Sequence, residues 1–339
     1  MKNAFLNGGG ELGEIIREFD WASSPLGPPE QWPQALRTAV GMMLQSKFVM
    51  YIAWGPNFYQ LYNDYYRPIL GESKHPAVGK RTEHTFHEAW EVIEPLFSEV
   101  MAGNAVGSKD FMMALDRHGF LEECYFTFSY SPILDETKVG GVLVVGYETT
   151  QRVLQDRRLK TTRDLAETIH RIENVKEIWE AAEKSLAGNN LDLPIFVPEG
   201  ENLELVSHTA ASELPHYEVL IKPLLETLVK ESVQQNEIKQ RSDLVEAFGS
   251  FSAGPWPEVL RHAVVLPLGS QGIRKKYGAL LVITSPRVKF DADYLGFLQV
   301  VARELSTALG NATQYLEAQK RAEELAEIDR VKTRFFANI

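Results

Sequence analysis

The segment Leu121-Glu122-Glu123-Cys124-Tyr125-Phe126-Thr127-Phe128-Ser129-Tyr130-Ser131-Pro132-Ile133 alternates strictly through its middle. Cys124, Phe126, Phe128 and Tyr130 fall on one side, and Tyr125, Thr127, Ser129 and Ser131 on the other. A period of two marks a strand with one face turned to a core, so this segment predicts a sheet. Working outward, Asp110 to Leu115 and Val139 to Tyr147 read as its neighbours, the first joined through the turn Asp116-Arg117-His118-Gly119. Upstream, Val49 to Trp54 and Phe58 to Tyr62 are short β-rich runs separated by Gly55-Pro56-Asn57, a hairpin-type break. Between the two groups lie a helical patch, Asp64 to Leu70, and a helix, Ala89 to Met101, with Trp90, Ile93, Phe97 and Val100 at helical spacing. Pro95 is expected to kink or split that helix. Pro33 suits the first turn of a helix running to about Gln45, and the thirty residues before it read as loop.

The rest of the chain changes character. Gln151 to about Leu186 is dense in charge, with a narrow apolar seam of Leu165, Ile169 and Ile172, and reads as a helical linker. After the Gly188-Asn189-Asn190 break, strands are expected at Leu193 to Val197, Leu203 to Ser207, His262 to Leu268 and Tyr277 to Thr284, with a helix at Tyr217 to Val233. From the Asp291 cap region onward the sequence is helix-compatible and free of Pro, with Gly296 and Gly310 as its weak points. Leu298, Leu305, Leu309, Ala312 and Leu316 follow a heptad-like seam, which Leu325, Ile328, Phe335 and Ile339 resume after a phase shift. Globular helices rarely run this long, so the final stretch is expected to pair with a second copy of itself. The fold class predicted is α+β. Residues 1–46 form an N-terminal extension and helix, 47–150 a first domain, 151–187 a linker, 188–311 a second domain, and 312–339 the start of a coiled coil.

Composition narrows the function. The chain has 339 residues, 46 acidic against 35 basic, for a formal charge of −11. Such a surface repels phosphate backbones, so no nucleic-acid partner is expected. The densest basic clusters, Arg152/Arg157/Arg158/Lys160 and Arg274/Lys275/Lys276, are short. The single cysteine, Cys124, excludes an internal disulfide and a multi-cysteine metal site, which fits a cytoplasmic location. No segment reads as a signal peptide or membrane span. No Gly-x-Ser-x-Gly, Walker loop or Cys/His constellation occurs, so the chain itself is not expected to be an enzyme.

Three phrases carry a family resemblance. Asp20-Trp21 with Pro25-Leu26-Gly27-Pro28-Pro29-Glu30-Gln31-Trp32-Pro33, then Tyr62-Asn63-Asp64 and Tyr125 to Ile133, resemble a PAS domain of bacterial sensor histidine kinases. Residues 188–311 are similar to a GAF domain, by element order and by Leu266-Pro267-Leu268 and Tyr277-Gly278-Ala279-Leu280. Asp329 to Ile339 resembles the helix that leads into the phosphoacceptor box of those kinases, and the sequence stops before that box. The resemblance implies the sensory input half of a kinase that works as a homodimer and passes phosphate to a response regulator; the alternatives are a cyclase or phosphatase output, or a chromophore-binding photosensor or haem sensor. Glu148-Thr149-Thr150 resembles the Asp-x-Thr junction of PAS signalling proteins, with Glu in the Asp place, a nearby base such as Arg152 as its partner and the Thr as a helix cap.

Candidate site residues follow. Tyr51, Tyr62, Trp90, Phe97, Phe126 and Phe128 are expected either to line a pocket for a small apolar or aromatic ligand or to fill the core, depending on sheet register. Glu148, Thr150, Leu305, Leu309, Leu316 and Leu325 are expected to transmit the signal. No metal and no cofactor are predicted; haem at His84 or His87 is the alternative, since their spacing of three suits one helix face. Cys124 reads as a small buried hydrophobe, and Glu122 and Glu123 as a solvated strand end.

Overall fold

The computed structural model describes residues 3–199, 219–220, 222–269 and 276–337. Within it the chain is a mixture of helices and antiparallel sheets, divided into two compact units, Met1–Leu154 and Gln155–Ile339. The predicted strand Leu203 to Ser207 lies outside the described residues, as does the interior of the turn between Gly269 and Lys276.

In the first unit, strands β1 (Val49–Trp54), β2 (Tyr59–Tyr62), β3 (Val106–Asp116), β4 (Leu121–Asp135) and β5 (Lys138–Glu148) form one antiparallel sheet in the order β2-β1-β5-β4-β3. Register places Phe126 opposite both Phe111 and Glu148, Phe128 opposite Gly146, and Tyr130 opposite Val144. The alternation of β4 is realised as expected: Cys124, Phe126, Phe128 and Tyr130 are buried, whereas Ser129 is exposed. Both faces of β1 and β2 are covered. Tyr51 and Tyr62 point one way and the equally buried Ile52 and Leu61 the other.

Helices supply both covers. Helix α2 (Gln34–Gln45) buries Leu36, Val40, Met43 and Leu44, an i, i+4, i+7, i+8 stripe, and packs on β1, β2, β4 and β5. Helices α3 (Arg67–Lys74), α4 (Thr82–Thr85) and α5 (Trp90–Met101) follow β2, and α5 packs on β3, β4 and β5. Helix α5 runs through Pro95 as one element: the ring removes only the N–H that would reach Glu91, and the stripe of Ile93, Phe97 and Val100 holds the helix to the core.

The first thirty residues are not loop throughout. Helix α1 (Gly10–Glu18) buries Leu12 and Ile16 one turn apart. Gly8, Gly9 and Gly10 adopt φ of 82°, 81° and 57°, and a Cβ on Gly10 would lie 2.0 Å from the Asp64 carboxylate, which accepts the Leu12 N–H at 2.8 Å. The glycines that read as a breaker are thus the entry to a helix docked on α2 and the Asp64 turn. The Trp21 and Trp32 rings meet edge to face at 4.9 Å inside the same core, with indole N–H groups on the carbonyls of Ile16 and Gly27.

The second unit is built on a four-stranded antiparallel sheet, β6 (Ile195–Glu199), β7 (Lys239–Arg241), β8 (Ala263–Gly269) and β9 (Lys276–Ile283), in the order β6-β9-β8-β7. Alternate residues of β8 and β9 feed two separate cores: Val264, Leu266, Leu280 and Val282 one, Ala263, Val265, Leu281 and Ile283 the other. The second core also takes Leu220, Leu224 and Val229 from a segment that includes α8 (Lys222–Leu224), a π turn (Leu225–Val229) and α9 (Lys230–Gln235), and Leu244 from α10 (Leu244–Phe248). Strand β7 and helix α10 were not anticipated; each is too short to show a period.

The charged linker is two helices, α6 (Thr150–Ile169) and α7 (Val175–Leu186). Asn174 ends the continuity, its side chain accepting the N–H groups of Lys176 and Glu177 at 2.9 and 3.3 Å as an N-cap. Its seam is internal: Leu165 and Ile169 are fully buried in the first-named core of this unit, and Ile172 packs on it. A buried ion cluster sits beside that seam. Asp192, 0% exposed, accepts two hydrogen bonds from Arg157 at 2.9 Å each and one from Asn189 at 3.0 Å, with Arg158 at 3.5 Å. Arg158 also lies 4.3 Å over the ring of Tyr294, whose hydroxyl donates to the Asp192 carbonyl. Two arginines of the supposed basic patch are therefore structural.

Helix α11 (Ala292–Ala337) is one element of 46 residues, and Asp291 caps it by accepting the Tyr294 N–H at 2.9 Å. It passes through Gly296 and Gly310 without interruption.

Candidate functional site

The inner face of the first sheet lines a partly open cavity of about 50 Å³. Strands β3, β4 and β5 contribute Met113, Leu115, Phe126, Phe128, Tyr130 and Val144, and the helical cover contributes Tyr66, Ile69, Phe86 and Ile93. Phe128 and Tyr130 stack with ring centres 4.3 Å apart, which sets the wall. A second, open groove of about 760 Å³ lies between Phe5 and α2, lined by Arg37, Met42 and Gln45, and holds none of the predicted site residues.

Of the six pocket candidates, Phe126 and Phe128 line the cavity. The other four pack in the core around it. Tyr51 OH lies 2.5 Å from Thr82 Oγ1 and 3.1 Å from Gln60 Oε1, and burial holds its phenol well above the ordinary range. Tyr62 OH accepts the Ala77 N–H at 2.8 Å and sits 3.2 Å from His75 Nδ1. Burial pushes the Tyr62 pKa up to about 12 against the opposing Ala77 hydrogen bond. Phe97 meets Phe58, Trp90 and Tyr130 edge-on, and Trp90 is half-buried beside it. Tyr66, Ile69, Phe86, Ile93, Met113, Leu115, Tyr130 and Val144 also line the cavity; β4's alternation points to Tyr130 and the helical spacing of α5 to Ile93. His84 and His87 are exposed and do not line the cavity. Among the described residues no three His, Cys, Asp or Glu side chains group as metal ligands.

The cavity wall leads directly to a charged junction. In β5, Val144 and Gly146 line the cavity, and Glu148, which closes the strand, faces Phe126 across the sheet. Glu148 is held by Arg117, not Arg152: Arg117 donates to its two oxygens at 2.8 and 3.2 Å and to Glu122 at 2.8 Å. Arg152 pairs with Asp110 instead. Burial pulls the Arg117 pKa down, but the hydrogen bond and charge of Glu148, with Glu122, outweigh it and hold the guanidinium charged. Thr150 ties helix α6 to the sheet, its hydroxyl donating to Glu148 at 2.7 Å and accepting the Tyr125 N–H at 2.9 Å. Glu122 and Glu123 are not a solvated end. Glu122 serves Arg117 and His118, and the buried Glu123 accepts the Tyr125 hydroxyl at 2.6 Å. Cys124 is fully buried next to this cluster, and burial pushes its thiol up to about 12.

The four predicted leucines divide. Leu305 and Leu309 are buried in the core of their own unit with Leu298 and Ala312, whereas Leu316 and Leu325 are 45% and 67% exposed. No described helix is long and apolar enough to cross a membrane.

No protein-family model matches this sequence, and no curated protein matches it. Among solved structures, the chain is similar to the GAF domain from Acinetobacter phosphoenolpyruvate-protein phosphotransferase, at 15% identity over 46% of this chain and 95% of that one, with a TM-score of 0.31. It is similar to the Stigmatella aurantiaca phytochrome photosensory core module at 13% identity over 82% of this chain, spanning 60% of that module, with a TM-score of 0.33. It is also similar to the GAF domain of a putative sensor histidine kinase from Pseudomonas syringae pv. tomato, at 17% identity over 50% of this chain and 97% of that one, with a TM-score of 0.30. Scores this low leave the fold to be read from its own elements.

Proposed function

We propose that the chain is a sensory input module of a sensor histidine kinase, with a PAS-like first unit and a GAF-like second unit. The observation that carries this is the adjacency of a partly open apolar cavity and a charged latch: β5 walls the cavity at Val144 and Gly146 and ends on Glu148, which Arg117 and Thr150 fasten to the first turn of α6. A ligand that spreads Phe126 and Gly146 moves the strand whose next carboxylate holds that turn. The signal is then a change in the populations of two latch geometries, biased by the ligand's preference for one. The sequence phrase Asp329 to Ile339 supports kinase output with a response regulator downstream, and the exposed Leu325, Ile328 and Val331 support a homodimer paired along the end of α11.

Xenon fills dry apolar cavities and tests the coupling without knowledge of the natural ligand. Under xenon pressure the cavity methyls of Ile93, Leu115 and Val144 should shift in NMR spectra, and amide exchange at Thr150 to Leu154 should change at least about twofold. Filled methyls with unchanged exchange at those five amides would sink the relay.

A further inference from the structure

Arg37 sits badly for stability. It falls within the first turn of α2, where a cation opposes the helix dipole. Among the described residues its guanidinium makes no hydrogen bond or ion pair; its Nε is buried without a partner, and its Cζ lies 5.2 Å over the Phe5 ring. A buried donor left unpaired is costly and calls for an acceptor from elsewhere. Gly41, one turn on, sits badly too. Gly inside a helix is worse than Ala, yet a Cβ here would meet Phe5 at 3.5 Å, an ordinary contact, so packing does not require Gly. Both residues line the open groove of about 760 Å³ between Phe5 and α2. There Gly41 leaves the floor bare, and Arg37 is the one cation among the described lining residues. The one acid, Glu30, accepts a hydrogen bond from Asn3 Nδ2 at 2.6 Å.

The shape of the groove chooses the occupant. At about 100° per residue, Gln34, Thr38, Gly41 and Gln45 fall within about 60° of one another, on a line about 16 Å long. About five residues of extended chain span the same length. Steps of four along the helix rise about 6 Å, close to the roughly 6.7 Å between alternate residues of a strand. At about 25 Å³ per carbon, from benzene in roughly 150 Å³, the groove has room for about 30 atoms. That is most of a five-residue segment whose outer side chains stay in water. Small-molecule sites bury most of their ligand, which a groove this open does not. Met42, 56% exposed, and Phe5 supply apolar contact beside the cation. We propose that the groove docks an extended acidic peptide segment of about five residues, with one carboxylate on Arg37 and an apolar side chain against Phe5 or Met42.

The test uses the full chain at about 150 mM salt, where a Debye length of about 8 Å screens the formal charge of −11 and leaves the local cation to decide. Probes are acetyl-Ser-Leu-Glu-Leu-Ser-amide, its Gln and Lys counterparts, and glutarate as a free carboxylate. Backbone amide shifts from Gln34 to Gln45 report occupancy. The Glu peptide should saturate with a Kd at or below about 1 mM. The Gln peptide should bind at least about fivefold more weakly, and the Lys peptide should be silent. Arg37→Gln should weaken the Glu peptide to the level of the Gln peptide and leave the Gln peptide unchanged. That variant should melt within about 3 °C of the parent, since it removes no hydrogen bond or ion pair. Gly41→Leu, which covers the floor, should weaken both peptides. Equal binding of the Glu and Gln peptides, an Arg37→Gln chain that holds the Glu peptide as well as the parent, or silence from every probe overturns the proposal. So does glutarate binding as tightly as the Glu peptide, which makes the groove a site for a free carboxylate.

Discussion

Replacing Arg117 with Met removes the cation at the centre of the latch while keeping most of the side chain's volume. Arg117 is 8% exposed and makes three charge-assisted hydrogen bonds, so the variant strands Glu122 and Glu148 with side chains 14% and 29% exposed. Breaking a buried pair by removing one partner costs about 3–5 kcal/mol. Water reaches Glu148 in part, which sets the expectation at the lower end, about 3 kcal/mol. Across a unit of about 150 residues that corresponds to a fall of about 9 °C in melting temperature. Calorimetry of the whole chain should show the transition of the first unit moving down and that of the second staying in place. Adding Glu148→Gln to Arg117→Met removes one stranded charge and should restore about 1 kcal/mol. Amide exchange at Thr150 to Leu154 should quicken in both variants, because Thr150 loses an anchored acceptor. A single variant within about 0.5 kcal/mol of the parent, or a double variant worse than the single, would refute the latch.

Three further outcomes are expected. The Cys124 thiol rises from 9.0 to about 12 on folding, so the unfolded chain ionises it first; stability intact below pH 9 should fall by about 4 kcal/mol as pH rises to about 12. Cys124→Ala should therefore show a shallower loss of stability in urea between pH 9 and 11, and equal slopes would contradict the burial argument. Asp192→Ala leaves Arg157 and Arg158 without their shared carboxylate and should destabilise the second unit by about 3–5 kcal/mol, read as a lower urea midpoint with the first unit's transition unmoved. Deleting residues after Glu317 should leave the second unit folded, since its core uses α11 only as far as Ala312, yet reduce a dimeric mass in light scattering to that of a monomer.

What was legible in the sequence was whatever carried a long, unbroken period. The β4 alternation located its own buried face, and the stripes of α2 and α5 gave their extents within a residue or so. Three things stayed hidden for physical reasons. Helix α1 was masked because Gly8 to Gly10 act through positive φ and close approach to Asp64, which a breaker rule cannot distinguish from a turn. Arg117 reads as part of a hairpin turn; only the register that brings Glu122 and Glu148 to it reveals a latch, although an Arg five residues before a Glu across a tight turn is a usable hint. The cavity depends on which of the first unit's aromatic rings face the same volume, a property of register and rotamers that composition does not encode. Leu305 and Leu309 lie in the core although they fit a heptad seam, because a core stripe and a coiled-coil stripe share nearly the same spacing.

That ambiguity resolves along α11 itself. From Leu298 to Ala312 the apolar residues face their own sheet; from Ala318 to Arg334 every described residue is exposed. At about 100° per residue, Leu325 lies roughly 160° around the helix from Leu309, so the later stripe of Leu325, Ile328 and Val331 does not continue the core face. Leu316 sits roughly opposite Leu325 by the same count, so no single straight seam takes all four. A helix left in water over that length has only propensity to hold it, which is marginal. Burying four half-exposed side chains on each of two copies returns about 1 kcal/mol apiece, or about 8 kcal/mol in all, against an association cost of about 4–15 kcal/mol. The gain falls inside the range of the cost, so pairing of two such helices would stand near balance, and a seam that must rotate between Leu316 and Leu325 would offer two packings of similar free energy. A weak, two-register joint is what an input worth only a few kcal/mol can reset, and a tightly zipped one would not respond to it.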